Sequence, residues 1–350
     1  MSNHHVIIKA PGEARITEVP IPNLRDDYIL VKTCAVALNP TDWKHIDFMA
    51  SPGARLGCDY SGVVEEVGKA VTKDFKKGDR VAGICHGANA VCHEDGTFGQ
   101  YITAKGDIQI NVPDNLSFEE AATLGISVTT AGQALYQNLQ LPLPDSKKKV
   151  NFPILIYGGS TGAGAIAIQF VKLSGAYVIT TCSPHNFDYV KGLGADVVLD
   201  YNSPTVVKDI KTAAKDDLKH ALDCISLEES AKICVEAMSA SGGYLAVIQP
   251  IPDELVKGIN KNVTQRMTVA YTIIGEAFRN GPYQIPAAPQ DLEFGKPFWE
   301  LARSLLEQGK LKPHTPNVNP TGAGLEGVYE GIQAMRAGKV SGKKWVYTVS

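Results

Sequence analysis

Residues 157–164, Tyr-Gly-Gly-Ser-Thr-Gly-Ala-Gly, constrain the fold of this 350-residue chain more than any other segment. They follow the short apolar run Ile154–Tyr157 and open Gly162–Leu173, whose apolar residues recur with helical spacing. A glycine-rich turn between a buried strand and a helix lets the backbone approach a ligand, and the helix start offers N–H groups to phosphates. The context therefore predicts a dinucleotide site. The strict G-x-G-x-x-G pattern is absent, and a simple tight turn is the alternative.

The residues that follow continue the alternation of strands and helices. Tyr177–Thr181 is rich in β-branched residues, and helical stretches such as Glu229–Met238 separate the later strand candidates. Those candidates are Val197–Asp200, Ala221–Cys224, Tyr244–Ile248 and Thr268–Ile274. Because continuous apolar strands alternate with helices, we predict a parallel sheet covered on both faces, which is a doubly wound α/β domain.

The first third of the chain has a different pattern, with short strands separated by glycine and proline. Tyr28–Ala37 alternates as a half-buried strand does, and Lys77–Val81 is a turn that enters another strand. This pattern predicts a barrel-like β domain. Ser117 followed by Glu119 and Glu120 predicts a capped helix start.

The length predicts two domains, at about 150 residues per domain. Phe294–Glu307 has helical spacing, and Trp345–Val349 has strand character, so the end of the chain is expected to rejoin the first domain. The predicted boundaries are residues 1–128 with 292–350 for the β-rich domain and residues 129–291 for the α/β domain.

Composition indicates which partners the protein can bind and in which compartment it acts. Lys and Arg number 34 against 37 Asp and Glu, a net charge of −3, so we expect neither a nucleic acid nor a membrane partner. Met1–Lys9 carries no basic region followed by an apolar run, and no stretch of about 18 apolar residues occurs. Seven cysteines without a C-x-x-C pair indicate reduced thiols, which favours a cytoplasmic enzyme.

The end of the second strand of the α/β domain selects the nucleotide. An acidic residue about 20 positions after the glycine loop binds the ribose 2′-hydroxyl of NAD. Here the chain reads Cys182-Ser183-Pro184-His185-Asn186, which has no carboxylate but offers hydroxyl, amide and imidazole groups. These groups suit a 2′-phosphate, so we predict NADPH.

Several segments together resemble the zinc-free, quinone oxidoreductase-like branch of the medium-chain dehydrogenase/reductase superfamily. They are Ala37–Asp42, Leu56–Gly62, Gly78–Val81 and the glycine loop. Thr181–Asp188 and Ala221–Ile225 are similar to fungal trans-acting polyketide enoyl reductases. The resemblance implies a GroES-like β-barrel catalytic domain plus a doubly wound Rossmann domain, an α/β fold.

The same resemblance implies an activity and a partner. Hydride from NADPH would reduce the α,β-double bond of an enoyl thioester, in secondary metabolite biosynthesis. The thioester would be carried by the acyl carrier protein domain of a highly reducing polyketide synthase or of a synthase–peptide synthetase hybrid. The wider superfamily is often dimeric, whereas the closer resemblance favours a monomer, so the sequence leaves the oligomeric state open.

The resemblance also assigns site residues. The implied nucleotide-binding residues are Thr41, Asp42, Trp43, Lys44, Ser160, Thr161, Gly162, Ala163, Ser183, Pro184, His185, Asn186, Tyr201, Ile248, Gln249, Val340 and Ser341. The implied acyl-pocket residues, on a predicted helix and a predicted strand, are Ala131, Gly132, Gln133, Ala134, Leu135, Tyr136, Gln137, Asn138, Ala270, Tyr271, Thr272, Ile273 and Ile274.

The sequence offers no zinc-ligand set. Zinc-dependent relatives carry a cysteine and a His-Glu pair where this chain has Asn39 and Cys58-Asp59. Catalytic zinc needs three protein ligands, and the spacing of Cys85-His86 and Cys92-His93 fits none of the usual zinc patterns. We therefore expect no metal.

Without a Lewis acid, the substrate must already be polarised, as a conjugated thioester is. The protein then has to position the substrate, stabilise the enolate oxygen and deliver a proton. Lys44 is the first candidate for the proton donor, and Thr130 is a candidate to hydrogen-bond the thioester carbonyl. A surface lysine and a packing threonine are the alternatives, and water is an alternative source of the proton.

Two other functions stay open at this point. One is a stand-alone NADPH-dependent quinone or enone reductase, which the glycine-rich Gly162-Ala163-Gly164 favours. The other is a non-catalytic NADPH-binding protein that kept the fold.

Overall fold

The computed structural model describes residues 3–349, and its contacts divide the chain into two compact units. The first unit is Met1–Ile126 with Tyr271–Ser350, and the second is Ser127–Ala270. The sequence-based boundaries differ over residues 127–128, which the contacts group with the second unit, and over residues 271–291, which they group with the first. Polar contacts hold the segment that begins at Tyr271 in the first unit. The Tyr271 hydroxyl lies 2.9 Å from Thr41 Oγ1, and the Glu276 carboxylate accepts hydrogen bonds from Tyr28 and Lys105.

Strands and helices are labelled in chain order. The strands are β1 (Asn3–Ala10), β2 (Glu13–Val19), β3 (Tyr28–Ala37), β4 (Asp59–Val67), β5 (Arg80–Ile84), β6 (Tyr101–Lys105), β7 (Ile110–Asn111), β8 (Pro153–Tyr157), β9 (Tyr177–Thr181), β10 (Val197–Leu199), β11 (His220–Asp223), β12 (Gly243–Val247), β13 (Val263–Met267), β14 (Phe278–Asn280), β15 (Tyr283–Ile285), β16 (Pro316–Val318) and β17 (Lys344–Thr348). The helices are α1 (Pro40–Phe48), α2 (Phe118–Ala121), α3 (Gly125–Gly132), α4 (Gly162–Leu173), α5 (Phe187–Gly192), α6 (Val206–Ala213), α7 (Glu228–Ala237), α8 (Asp253–Ile259), α9 (Pro289–Glu307) and α10 (Gly324–Arg336).

The first unit is built around strand β3. Its sheet runs in the order β16-β17-β3-β4-β5-β7, and β6 also pairs with β3. Alternate side chains of β3, including Ile29 and Val31, are fully buried, as the period of two predicts. Strand β17 lies antiparallel to β3, which confirms that the end of the chain rejoins the first domain. The predicted capping box at α2 is confirmed, because the Ser117 hydroxyl accepts a hydrogen bond from the Glu120 backbone N–H and the Glu120 carboxylate accepts one from Ser117.

The second unit is a doubly wound α/β domain, as predicted. Its six strands are all parallel, in the order β10-β9-β8-β11-β12-β13. The chain moves outward from β8 to β10 and then returns to place β11 on the other side of β8. The carboxyl ends of β8 and β11 therefore form the topological switch point, where open α/β sheets bind ligands.

Three predicted elements need correction. Thr268–Ile274 is not a strand, because β13 ends at Met267 and Ala270–Ile274 forms a 3₁₀ helix. The apolar character of this segment reflects the burial of Tyr271 and Ile273 and not pairing in a sheet. The predicted helix over Ala131–Asn138 is the end of α3 followed by a π-helical turn, Gln133–Asn138.

The third correction concerns α9, which begins at Pro289 rather than at Phe294. Proline is well tolerated in the first helical turn, where its missing N–H would have no partner. The helix also continues through Pro297. In the part of the chain that the structure describes, no helix combines the length and the apolar character that crossing a bilayer requires. The seven cysteines are free thiols.

Candidate active site

The predicted nucleotide loop connects β8 to α4 in the second unit. Gly158 has a φ of +80°, a conformation that side chains disfavour. Thr161 is the N-cap of α4: its Oγ1 accepts a hydrogen bond from the Gly164 N–H at 3.0 Å and donates to the Gly158 carbonyl oxygen at 2.8 Å. The Gly159 N–H donates to the carbonyl oxygen of Thr181 at 2.9 Å. The loop is thus fixed against both the helix and the neighbouring strand β9.

The glycines of this loop are required by close contacts. A Cβ atom on Gly164 would lie 2.3 Å from the Gly158 carbonyl oxygen, and one on Gly159 would lie 2.1 Å from Thr180 Oγ1. Helix α4 therefore packs directly on the loop backbone. Its first turn has N–H groups without intrahelical partners, including those of Gly162 and Ala163, together with the positive end of the helix dipole.

The ends of β11 and β12 are organised by a buried carboxylate. Asp223 accepts hydrogen bonds from the N–H groups of Ile225 and Ser226, both at 2.9 Å, and from the Ser230 hydroxyl at 2.6 Å. Ser226 then accepts a hydrogen bond from the Ile248 N–H at 2.8 Å, and the Gln249 amide donates to the Ile225 carbonyl oxygen at 2.8 Å. The predicted site residues Ile248 and Gln249 are therefore held at the switch point.

The predicted adenosine side lies at the end of β9. Ser183 Oγ is 3.3 Å from the Tyr201 hydroxyl, and the His185 ring nitrogen is 3.3 Å from the Asn186 amide nitrogen. Pro184 and His185 are exposed, whereas Asn186 is buried. These polar groups form one cluster at the carboxyl edge of the sheet.

In the first unit a buried lysine connects three segments. Lys344, in β17, forms an ion pair with the Asp59 carboxylate at 2.7 Å and donates a hydrogen bond to Asn39 Oδ1 at 2.5 Å. The Lys344 side chain is 7% exposed and that of Asp59 0%. The other Asp59 oxygen accepts the Ile126 N–H at 2.6 Å. One ammonium thus ties the C-terminal strand to the β3–α1 junction and to the start of α3.

Asp42 lies beside this cluster in the first turn of α1. Its carboxylate accepts the Asn39 N–H at 2.6 Å, while its other oxygen, Oδ1, is buried without a hydrogen-bond partner among the described residues. Burial raises the pKa of Asp42 to about 8, and the negative charge of Asp59 adds to the rise. The raised pKa favours a neutral Asp42 carboxyl at neutral pH.

The predicted site residues Thr41 and Tyr271 are brought together. The two hydroxyl oxygens are 2.9 Å apart, and His45 Nδ1 lies 3.0 Å from Thr41 Oγ1. Tyr271 also lies 3.3 Å from Cys58 Sγ and stacks on the His86 ring, with ring centres 4.0 Å apart. Burial raises the pKa of the Cys58 thiol, so this cysteine is a hydrogen-bonding group rather than a nucleophile.

Lys44 and Trp43 follow on the same helix and are half-buried. The Lys44 ammonium is 5.9 Å from the Trp43 ring centre, and burial lowers the pKa of Lys44. Val340 and Ser341 lie in the irregular segment that precedes β17.

The predicted acyl-pocket residues are largely buried. Ala131, Ala134 and Leu135 are fully buried, and the Tyr136 hydroxyl lies 3.3 Å from Ser174 Oγ. Thr130 is buried as well, in α3. Gly132 and Gln133 follow Ala131 in the buried part of this segment, and Gln137 is half-buried.

The remaining members of the predicted pocket are divided between the two units. Asn138 donates to Thr268 Oγ1 at 2.7 Å. Ala270 is the last residue of the second unit, and in the first unit Thr272 donates to Asp291 while Ile273 and Ile274 are buried.

Two family models match the chain. The model of the alcohol dehydrogenase GroES-like domain matches residues 25–114, and the model of the zinc-binding dehydrogenase matches residues 162–289. Solved structures share the fold over essentially the whole chain. A quinone oxidoreductase from Coxiella burnetii is 23% identical with a TM-score of 0.75, covering 100% of both chains. The CurK enoyl reductase is 18% identical with a TM-score of 0.77, covering 99% of each chain. The fold and these matches define a medium-chain dehydrogenase/reductase.

Similar proteins identify the family within this class. The trans-enoyl reductase TOXD of Cochliobolus carbonum is 50% identical over 84% of this chain and 97% of its own length. The trans-enoyl reductase resD of Aspergillus sclerotiorum is 42% identical over 98% of this chain and 99% of its own length. The chain belongs to the fungal trans-enoyl reductase family. The predicted fold class and the predicted oxidoreductase activity on a C=C bond are thereby confirmed.

The family uses a pyridine nucleotide, and the residues present fit one. Gly159 and Gly164 leave no room for a Cβ atom, and the start of α4 offers N–H donors where a pyrophosphate would bind. Ser160, Thr161, Gly162 and Ala163 are the residues that would hold it. The polar cluster at Ser183 and Tyr201 would meet the adenosine.

Zinc, which the name of the second family model implies, does not fit the residues present. Among residues 3–349 no group of three or more His, Cys, Asp or Glu side chains is arranged to hold a metal ion. Cys85 and His93 have separate partners, Thr103 and Ser51, and His86 stacks on Tyr271. Asp59 is paired with the Lys344 ammonium.

Sequence reasoning missed two parts of the site. Lys344 gave no signal, because a lysine near the end of a chain is ordinarily exposed. The Asp223 turn did carry one: an aspartate directly after a buried strand, followed by a serine three residues later, is typical of side-chain capping of a turn.

We predict that Gly164→Ala weakens nucleotide binding. The new Cβ would meet backbone at 2.3 Å, so α4 must move away from the loop. The Kd for NADPH, measured by fluorescence titration, should rise about tenfold or more, the equivalent of at least about 1.4 kcal/mol. Gly192→Ala in α5 is the matched control, because its Cβ meets nothing within 4 Å. Wild-type affinity in folded Gly164→Ala would show that the loop does not hold the nucleotide.

We also predict that Lys344→Met destabilises the first unit by about 3–5 kcal/mol, because removing one partner leaves the buried Asp59 charge unpaired. All three tryptophans, Trp43, Trp299 and Trp345, lie in the first unit, so urea denaturation followed by tryptophan fluorescence reports on it. Lys343→Met, at the exposed neighbouring position, should change the free energy of unfolding by less than about 0.5 kcal/mol. Equal effects of the two substitutions would contradict the role given to the ion pair.

Proposed function

We propose that this enzyme transfers hydride from NADPH to the α,β-double bond of an enoyl thioester carried by the acyl carrier protein domain of a highly reducing polyketide synthase, or of a synthase–peptide synthetase hybrid. The observation that carries the proposal is a nucleotide cradle at β8–α4, combined with a first unit in which the buried Asp59 carboxylate is paired with a lysine rather than left free to hold a metal ion. The names of the curated relatives, which are trans-enoyl reductases, support it.

NADPH is proposed over NADH because no acidic residue of the Ser183–Asn186 segment faces the predicted 2′-phosphate. Ser183, His185, Asn186 and Tyr201 would bind that phosphate and the adenosine. Thr41, Asp42, Trp43, Lys44, Ile248, Gln249, Val340 and Ser341 are the residues proposed to border the nicotinamide. When bound, the nicotinamide supplies the hydride.

We propose that no zinc takes part and that the thioester carbonyl is polarised by hydrogen bonds. Negative charge develops on the carbonyl oxygen as the β-carbon is reduced, and donors that already point at that oxygen lower the barrier. Lys44 is the proposed proton donor, because burial lowers its pKa and a lower pKa makes an ammonium a stronger acid. Thr130 is the second candidate, as a donor to the carbonyl oxygen.

The acyl chain is proposed to pass the segments Ala131–Asn138 and Ala270–Ile274, and the enzyme is proposed to act in the cytoplasm. The second candidate function is a stand-alone quinone or enone reductase. Its support is the fold shared with a solved quinone oxidoreductase and the glycine-rich start of α4. A non-catalytic NADPH-binding protein is the third.

One assay separates these functions. The protein is incubated with NADPH and either an α,β-unsaturated acyl thioester of N-acetylcysteamine or a simple quinone, and nucleotide oxidation is followed by absorbance. We expect stoichiometric oxidation with the thioester and little with the quinone. The reverse preference would favour the quinone reductase, and NADPH binding without turnover of either substrate would favour the non-catalytic protein.

In the same assay Lys44→Ala should lower kcat by about 10²-fold, the lower end of what general acids contribute. Lys32→Ala, which removes an exposed lysine from β3, is the matched control and should retain the wild-type rate. An unchanged rate in Lys44→Ala would remove this residue from the mechanism and leave water as the proton source.

Ser183→Asp should change the nucleotide preference. A carboxylate at the end of β9 would repel the 2′-phosphate, so the Kd for NADPH should rise about tenfold or more while that for NADH changes little. Ser241→Asp, which precedes β12 at the opposite edge of the sheet, adds the same charge and should leave both constants unchanged. A Ser183→Asp enzyme that keeps the NADPH preference would place the phosphate elsewhere.

A further inference from the structure

Thr41 is the meeting point of a chain of hydrogen-bonding groups in the first unit. Its hydroxyl lies 2.9 Å from the Tyr271 hydroxyl and 3.0 Å from His45 Nδ1, and Tyr271 continues the chain to Cys58 Sγ at 3.3 Å. Thr41 is half-buried, whereas His45, Cys58 and Tyr271 are buried. Of these four residues, Thr41 is therefore the one that is partly accessible.

The protons of this chain can be assigned from its acceptors. His45 Nδ1 lies 2.9 Å from the Thr41 carbonyl oxygen, which only accepts, so Nδ1 carries a proton. Burial lowers the pKa of His45, so the ring is neutral and its Nδ1–H is shared between the two Thr41 oxygens. The Thr41 hydroxyl consequently cannot donate to His45.

The Tyr271 proton also points to Thr41. Burial raises the pKa of Cys58, so its thiol keeps its own proton, and sulfur is a weak acceptor compared with a hydroxyl oxygen. Tyr271 O–H therefore donates to Thr41 Oγ1. The tyrosine ring cannot turn away, because it stacks on His86 and contacts the edge of Phe278.

Thr41 Oγ1 thus accepts two hydrogen bonds, which use both of its lone pairs. We propose that Tyr271 and His45 are positioning residues that aim the Thr41 O–H outward, as a donor to the oxygen that becomes negative when the enoyl thioester is reduced. The inference rests on the proposed function. No bond to Thr41 forms or breaks: its hydroxyl stabilises the enolate oxygen, while the proton that the α-carbon receives comes from another group.

The proposed roles of Thr41 and Tyr271 predict different losses of kcat when each is substituted. Thr41→Val removes the donor and should lower kcat about 10²-fold, as loss of an oxyanion donor does elsewhere. Tyr271→Phe keeps the ring and its stacking but releases the threonine hydroxyl, and should lower kcat about tenfold with the Kd for NADPH within about twofold of wild type. Thr41→Ser keeps the hydroxyl and should retain kcat within about threefold.

The deciding experiment is a double-mutant cycle with the N-acetylcysteamine thioester, at a temperature where circular dichroism shows every variant folded. Because Tyr271 acts through Thr41, the double variant Thr41→Val/Tyr271→Phe should be no slower than Thr41→Val alone. Tyr347→Phe is the matched control, because Tyr347 is a buried tyrosine whose hydroxyl is 2.8 Å from Thr321 Oγ1, and it should keep the wild-type kcat.

Losses that multiply in the double variant, or a wild-type kcat in Tyr271→Phe, would overturn the inference. A folded Tyr271→Phe that loses no more activity than Tyr347→Phe would do the same. Failure of the proposed function looks different, because the wild-type protein itself would then not oxidise NADPH with the thioester.

Discussion

The first unit depends on one buried ion pair, between the Lys344 ammonium and the Asp59 carboxylate. A charge in the interior is tolerated only when its partner and its hydrogen bonds are supplied. Here Asn39 Oδ1 accepts a hydrogen bond from the lysine, and the Ile126 N–H donates one to the aspartate. The strand that closes the chain is therefore a structural requirement for the segment that begins α1, and with it for Thr41 and Lys44.

The buried Lys344 ammonium differs chemically from a metal ion. An ammonium offers three hydrogen-bond donors and no vacant coordination position, so it fixes its neighbours but does not bind a substrate carbonyl as a Lewis acid does. In the zinc-free mechanism proposed above, the groups that polarise the carbonyl are hydrogen-bond donors whose direction is set in advance. Fixed donors in a dry site lose little energy to reorientation during the reaction, which is why their preparation by buried neighbours matters.

The sequence predicted those elements whose signal is local. The glycine loop and α4 were predictable because strand, turn and helix are contiguous, and Thr161 and Gly164 meet within a single turn. The segment 268–274 was predicted wrongly, because a short apolar run reads as a strand whether it pairs in a sheet or is buried in a 3₁₀ helix. The pairing of Asp59 with Lys344 joins residues far apart in sequence, and no local pattern indicates it.

In both units, buried polar side chains fix the segments that carry the predicted site residues. In the second unit Asp223 accepts three hydrogen bonds and so fixes the turn that holds Ile248 and Gln249, and in the first unit Asp59 and Tyr271 fix the surroundings of α1. Each is a buried polar group with partners on other segments of its own unit. Such groups are costly unless every hydrogen bond is made, so they tolerate only one local arrangement. That requirement, rather than the apolar packing around them, sets the directions of the groups proposed to act on the substrate.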